Sequence, residues 1–136
     1  MLGEPMSVEN VERYRRSIQA LNRRDPAAFL ALMDVGVEAV PTVVSLEGDV
    51  RGHDGVRRWY ASVLDVFPDF TIEVVTVRDL EDLTLAAVGF RGHGSGSDTP
   101  FEMTLWSAAE WREGKCVWWG NYRTELEALE AVGLRE

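Results

Sequence analysis

The chain has 136 residues, 46% of them hydrophobic, and a formal charge of −9 at pH 7. That length and apolar content fit a single globular domain spanning residues 1–136, with a core of its own. The charge argues against nucleic acid and anionic membranes as main partners, because both repel a polyanion.

Cys116 is the one cysteine, so no disulfide can form within the chain, and its apolar setting (CVWW) reads as packing. The opening segment MLGEPMSVEN has neither a basic start nor an apolar core of the signal-peptide kind. No apolar run approaches the roughly 20 residues that a bilayer span needs. These features make a cytoplasmic location the expectation, with residues 1–6 disordered ahead of the first helical periodicity.

Ser7 is the expected N-cap of a first helix whose apolar face is Val8, Val11, Tyr14, Ile18 and Leu21. Arg13, Arg15, Arg16, Arg23 and Arg24 read as its solvated side. Asp25-Pro26 starts a second, short helix, AAFLALM, with an N-cap carboxylate followed by proline at the first helical position. GVEAVPTVVS reads as a strand near residues 36–44, placed at an edge or bulge by Pro41, and SLEGD as loop.

A central helix follows, with Asp54 as N-cap, an apolar stripe of Val56, Tyr60, Val63 and Phe67 widened by Trp59 and Leu64, and a stop at Pro68. Four strands are then expected: FTIEVVTVRD from Phe70, TLAAVGFRG over 84–92, FEMTLWSAAEW over 101–111 and CVWWGNYR over 116–123. The second is apolar almost throughout, as suits a strand covered on both faces. GHGSGSDTP connects the second and third strands as a flexible hairpin; it is no phosphate loop, since a strand follows it and not a helix. A last helix, TELEALEAV, should end at Gly133.

Trp118 and Trp119 are adjacent on a strand and so face opposite sides of the sheet. One side meets the helices. A second copy of the sheet is the economical cover for the other, which predicts a homodimer through the outer sheet face.

The element order and the segments ALNRRDPAAFLALMD, RGHDGVRRWY, FPDF, WREGK and YRTELEALEAVGL resemble the nuclear-transport-factor-2-like superfamily. Within it the chain is most similar to the SnoaL-like branch, named for polyketide cyclases and kin to the ketosteroid isomerases. The resemblance implies an α+β fold: a conical half-barrel whose curved, mostly antiparallel sheet wraps around N-terminal helices and encloses a deep apolar pocket. It also implies where the isomerase groups would fall. The tyrosine position is Ser17, the proton-shuttle aspartate Val40 or Pro41, and the oxyanion acid Ser107, while the polyketide cyclase aspartate falls around Thr124. None of these is a carboxylate.

The candidate chemistry is correspondingly thin. Tyr14, one turn before Ser17, could project its phenol into the pocket or sit as a core tyrosine at its edge. Asn121 could orient a carbonyl or hydroxyl of a ligand, or hydrogen-bond a neighbouring strand. Glu38 is a reserve base, turned inward by a register shift, and Glu102 and Glu110 should point away from the pocket. His53 most simply hydrogen-bonds loop backbone, and His93 could act only from the flexible connection. Two separated histidines without a tight acidic cluster suggest neither a metal nor a cofactor.

The pocket walls are expected to be Tyr14, Ile18, Trp59, Val63, Phe67, Val88, Phe90, Met103, Ser107, Trp119 and Asn121. Two functions fit them. One is a small-molecule enzyme performing acid/base isomerase, cyclase or dehydratase chemistry on an apolar, polyketide- or steroid-like substrate. The other is a non-catalytic dimeric ligand-binding protein with a vestigial pocket. A pure interaction module using the sheet face would instead fill the cavity.

Overall fold

The structure, a computed structural model, describes residues 4–41 and 50–135. Its elements in chain order are α1 (Glu4–Asn22), α2 (Pro26–Ala31), β1 (Met33–Val40), β2 (Val50–Arg51), α3 (Gly52–Val66), β3 (Thr71–Leu80), β4 (Leu83–His93), β5 (Pro100–Arg112), β6 (Lys115–Tyr122) and α4 (Glu125–Arg135). The strands form one sheet in the order β2-β1-β6-β5-β4-β3. Only β1 and β6 run parallel; every other neighbouring pair is antiparallel.

α1 begins at Glu4, so Ser7 lies within it and residues 4–6, expected to be disordered, are helical. Its end is a Schellman turn. Arg24 takes the left-handed position at φ 62, its N–H bonds Leu21 O, and the Asp25 N–H reaches back to Ala20 O. Arg24 is therefore more than solvated surface. Its guanidinium donates to Phe70 O at 2.8 Å and lies 4.2 Å above the Phe70 ring. Asn22 adds a second tie, exchanging two hydrogen bonds with the backbone of Ile72 as a neighbouring strand would. The turn that ends α1 thus clamps the start of β3.

Asp25 caps α2 as expected, accepting from the Ala28 N–H. Sequence reading placed β1 too late. It starts at Met33 and ends before Pro41, and it lies inside the sheet; the edge strands are β3 and the short β2, which sequence reading did not single out. The part of the expected strand beyond residue 41 lies outside the described residues. α3 likewise starts at Gly52, not after Asp54, because Gly52 supplies a φ of 66 at the turn out of β2. Asp54 instead contributes its charge to the first helical turn.

Two apolar layers flank the sheet. On the inner face α1 packs on β3 and β4, and α3 on β1 and β2. Val37, Ala86, Val88, Phe90, Leu105, Ala109 and Trp119 meet Tyr14, Ile18, Val56, Trp59 and Val63 there. On the outer face α4 lays Ala128 and Val132 over Leu83, Leu85, Ala108 and Trp118. Trp118, for which a second copy of the sheet was the expected cover, is packed under α4 of its own chain. α4 starts with a capping box: Thr124 Oγ1 accepts from the Glu127 N–H, and Glu127 Oε1 accepts from the Thr124 N–H. It runs through Gly133, which does not end it.

Candidate functional site

A cavity lies between the inner sheet face and the helices, lined from α1 by Tyr14, Ser17, Ile18 and Leu21 and from α3 by Trp59 and Val63. β4 contributes Val88 and Phe90, β5 contributes Leu105, Ser107, Ala109 and Trp111, and β6 contributes Cys116, Trp119 and Asn121. Phe29, Met33, Phe70 and Ile72 complete the wall. The strand residues come from single faces because side chains alternate along a strand. Of the walls expected from sequence, Phe67 and Met103 stand apart. Phe67 is stacked on Phe101 and meets Phe90 edge-on, in an aromatic cluster beyond the cavity, and Met103 packs half-buried against the same core.

Several lining residues escaped the sequence reading. Leu105, Ala109 and Trp111 share the face of Ser107 by simple alternation, so their signal was present. Cys116 was hidden by a bulge: opposite Glu110 and Trp111, β6 places Trp118 and Cys116, with Val117 as the extra residue. The bulge turns Cys116 into the cavity wall, the place alternation from Trp119 would give to Val117. Phe29 reaches the cavity from the short α2 and Met33 from the first residue of β1, elements too short or too shifted for periodicity to mark them.

The cavity holds about 70 Å³, counted as the space open to the centre of a water molecule. On that measure roughly 10–15 Å³ accommodates one water, whereas an apolar cavity of about 150 Å³ admits a benzene ring. Several waters fit. A single ring already needs the walls to move, and a polycyclic occupant needs more movement still.

Tyr14 is buried on α1. Its hydroxyl has no hydrogen-bond partner of good geometry among the described residues, although the Ser107 hydroxyl is close enough to act on it. Burial pushes the phenol pKa well above its ordinary value, and Ser107 offsets that only in part. Ser17 spends its hydroxyl proton on its own helix, donating to Tyr14 O at 2.6 Å. The Trp59 and Trp119 rings meet edge-to-face at 4.9 Å between centroids, and neither indole N–H has an acceptor among the described residues. Trp111 differs, since its N–H donates to Thr84 Oγ1 at 2.9 Å.

The remaining candidates lie elsewhere. Glu38 is exposed and sits 3.3 Å from Arg51 in an ion pair, so no register shift turns it inward. His53 bonds Met33 O at 3.1 Å through Nε2, a backbone contact. His93 Nδ1 meets Asp69 Oδ2 at 2.7 Å on the exposed side of the β4 end, and the His93 N–H bonds the same carboxylate. These hydrogen bonds hold the Asp69 carboxyl below its usual range. Val40 is half-exposed, Pro41 follows the end of β1, and Thr124 caps α4. Glu102 is exposed, and Glu110 binds Arg112 at 2.9 Å. Among the described residues, no three His, Cys, Asp or Glu side chains gather as a metal site would require. No helix there is long and apolar enough to cross a membrane.

An α+β sheet wrapped around N-terminal helices, with an apolar cavity between the layers, defines the class of proteins built on the nuclear-transport-factor-2-like fold. The SnoaL-like domain family model matches residues 14–119, and the chain belongs to that family. Solved structures of the same fold include a protein from Jannaschia sp. CCS1 proposed to be a SnoaL-like polyketide cyclase, at 16% identity and a TM-score of 0.77, covering 94% of this chain and 93% of that one. Another is a protein of unknown function from Burkholderia pseudomallei K96243, at 17% identity and a TM-score of 0.77, covering 90% and 95% of the two chains. A third, from Catenulispora acidiphila DSM 44928, has a ketosteroid isomerase-like fold and was solved with trimethylamine; it is 16% identical with a TM-score of 0.75, covering 90% and 92%. No curated protein matches the chain. Identities this low speak for the fold alone.

Proposed function

We propose that this chain binds a compact apolar molecule in the cavity, with the curved sheet closing on it as a conical half-barrel. The observation that carries the reading is the make-up of the wall. Among the described residues its polar groups are hydroxyls, a thiol, indoles and one amide, with no carboxylate, imidazole or amine. Such a wall removes apolar surface from water at about 25 cal/mol per Å² without the cost of desolvating a charge. Among the described residues it offers no base that can take a proton near neutral pH, the group that acid/base catalysis requires. Losing a positioned general base forfeits about 10² to 10⁴ in rate. The isomerase, cyclase or dehydratase reading is therefore the lesser one.

Binding and turnover separate in one pair of measurements. Quenching of tryptophan emission by small ring compounds should saturate, while a β,γ-unsaturated ketosteroid should not be converted at an enzymatic rate between about pH 5 and 9. Rapid conversion with a carboxylate-like pH limb would refute the reading, and loss of that limb in Glu38→Gln would name the base.

The homodimer belongs to this reading in altered form. α4 already covers Trp118, so a second copy would pack on α4 itself, where Leu126 and Leu129 are exposed. Sedimentation at micromolar concentration showing only a 15.3 kDa species would remove it.

A further inference from the structure

Tyr14, Trp59 and Trp119 line one cavity, and each carries a buried hydrogen-bond donor that no described residue satisfies. Their residues are only 4%, 7% and 7% exposed. A buried polar group without a partner is costly, and folded proteins pair the great majority of theirs. Three such groups around one small cavity are a pattern, and the pattern has a sign. An indole N–H can only donate, and a phenol donates readily. An N–H···π contact between the two indoles would engage one of them at most, since an edge-to-face pair has a single edge turned to a ring.

Nearby polar groups do not supply the missing acceptors. The oxygens of Ser17, Ser107 and Asn121 share the wall, but none of them bonds the phenol or either indole N–H with good geometry. Among the described residues the wall contains no cationic side chain to neutralise an anion and no carboxylate to hold a cation. Waters can serve the donors when the cavity is empty, and there is space for several. A ligand that displaces them has to bring lone pairs of its own.

We infer that the occupant is a neutral molecule of about one ring bearing a carbonyl-type oxygen, which accepts hydrogen bonds from Tyr14 Oη and from the indole N–H of Trp59 or Trp119. The inference rests on the proposed binding function and narrows it to a class of ligand. It separates the site from the isomerase pattern as well, because the donors stand at Tyr14, Trp59 and Trp119, and not at Ser17 and Ser107.

Three compounds sharing a phenyl ring test it: acetophenone, ethylbenzene and phenyltrimethylammonium. Affinities are read from indole fluorescence and corrected for partition between water and an alkane. Acetophenone is expected to bind about tenfold tighter than ethylbenzene on that scale, the worth of one or two buried hydrogen bonds. Tyr14→Phe should reduce the preference several-fold. A readout on the unaltered protein runs alongside: the indole N–H resonances of Trp59 and Trp119 should move downfield with the ketone and not with the hydrocarbon. Equal corrected affinities with unmoved indole resonances would overturn the inference and leave the binding function standing. Tightest binding of the ammonium compound would also overturn it, in favour of an aromatic cage. Failure of all three to bind would remove the binding function itself.

Discussion

Arg24 sits at a position where glycine is the usual residue, with φ at 62 at the end of α1. Replacing it with glycine would relieve about 1 kcal/mol of left-handed strain. The same change would remove the hydrogen bond to Phe70 O and the stacking over the Phe70 ring, together worth about 2 kcal/mol in a partly buried setting. Arg24→Gly should therefore destabilise the protein by about 1 kcal/mol, measured by urea unfolding, and a stabilised variant would show that strain outweighs the clamp. Tyr14 presents the reverse case. Its hydroxyl is buried without a good partner, so Tyr14→Phe should leave the ligand-free protein as stable or more stable, by up to about 1 kcal/mol. A loss above that would mean Ser107 holds the phenol more firmly than the geometry suggests.

Among the elements, α4 decides what the outer face of the sheet is. The helix is short and carries many charges, yet it covers Trp118 because Ala128 and Val132 present a small apolar stripe that fits closely on Ala108 and Leu85. Ala128 is fully buried, whereas Leu126 is 66% exposed. Ala128→Asp should cost about 3 kcal/mol or more and shift Trp118 emission to the red, since it forces an unpaired carboxylate against the sheet. Leu126→Asp should change stability by no more than about 0.5 kcal/mol. Equal effects of the two would mean that α4 is not docked as described. β6 makes the complementary point through its bulge, which puts Cys116 in the cavity wall and buries it. A buried, apolar thiol is a poor nucleophile, and Cys116 should react with a thiol reagent only at the rate of unfolding.

For the molecule as a whole, the buried phenol shapes the response to alkali. Burial raises the Tyr14 pKa in the folded state, so the fold favours the neutral form. Its contribution is complete below about pH 10, where an unfolded tyrosine is also neutral, and declines as pH rises toward the folded value. Denaturant unfolding of the unaltered protein should weaken above about pH 10, and Tyr14→Phe should flatten that decline. An identical decline in both would assign it to other groups. The net charge of −9 acts over the same scale, keeping the surface anionic while the described residues of the cavity wall include no charged side chain.

Local signals were strong enough to place most of the elements and one face of each helix. The Asp25-Pro26 start, the Pro68 stop and the alternation of β3 to β5 depend on backbone sterics and side-chain period, which neighbours in sequence suffice to establish. The same periods brought Tyr14, Ile18, Trp59, Val63, Val88, Phe90, Ser107, Trp119 and Asn121 to the inner face, around one cavity. Other features depend on contacts between residues far apart in the chain. Arg24 became a clamp because Phe70 lies beneath it, and Glu38 turned outward to Arg51 because β2 pairs with β1. The bulge at Val117 follows from the pairing of β5 with β6, which a strand read alone does not reveal. Trp118 had to be covered, as alternation required. That α4 of the same chain provides the cover was decided only when the sheet assembled and left a groove that small side chains could fill.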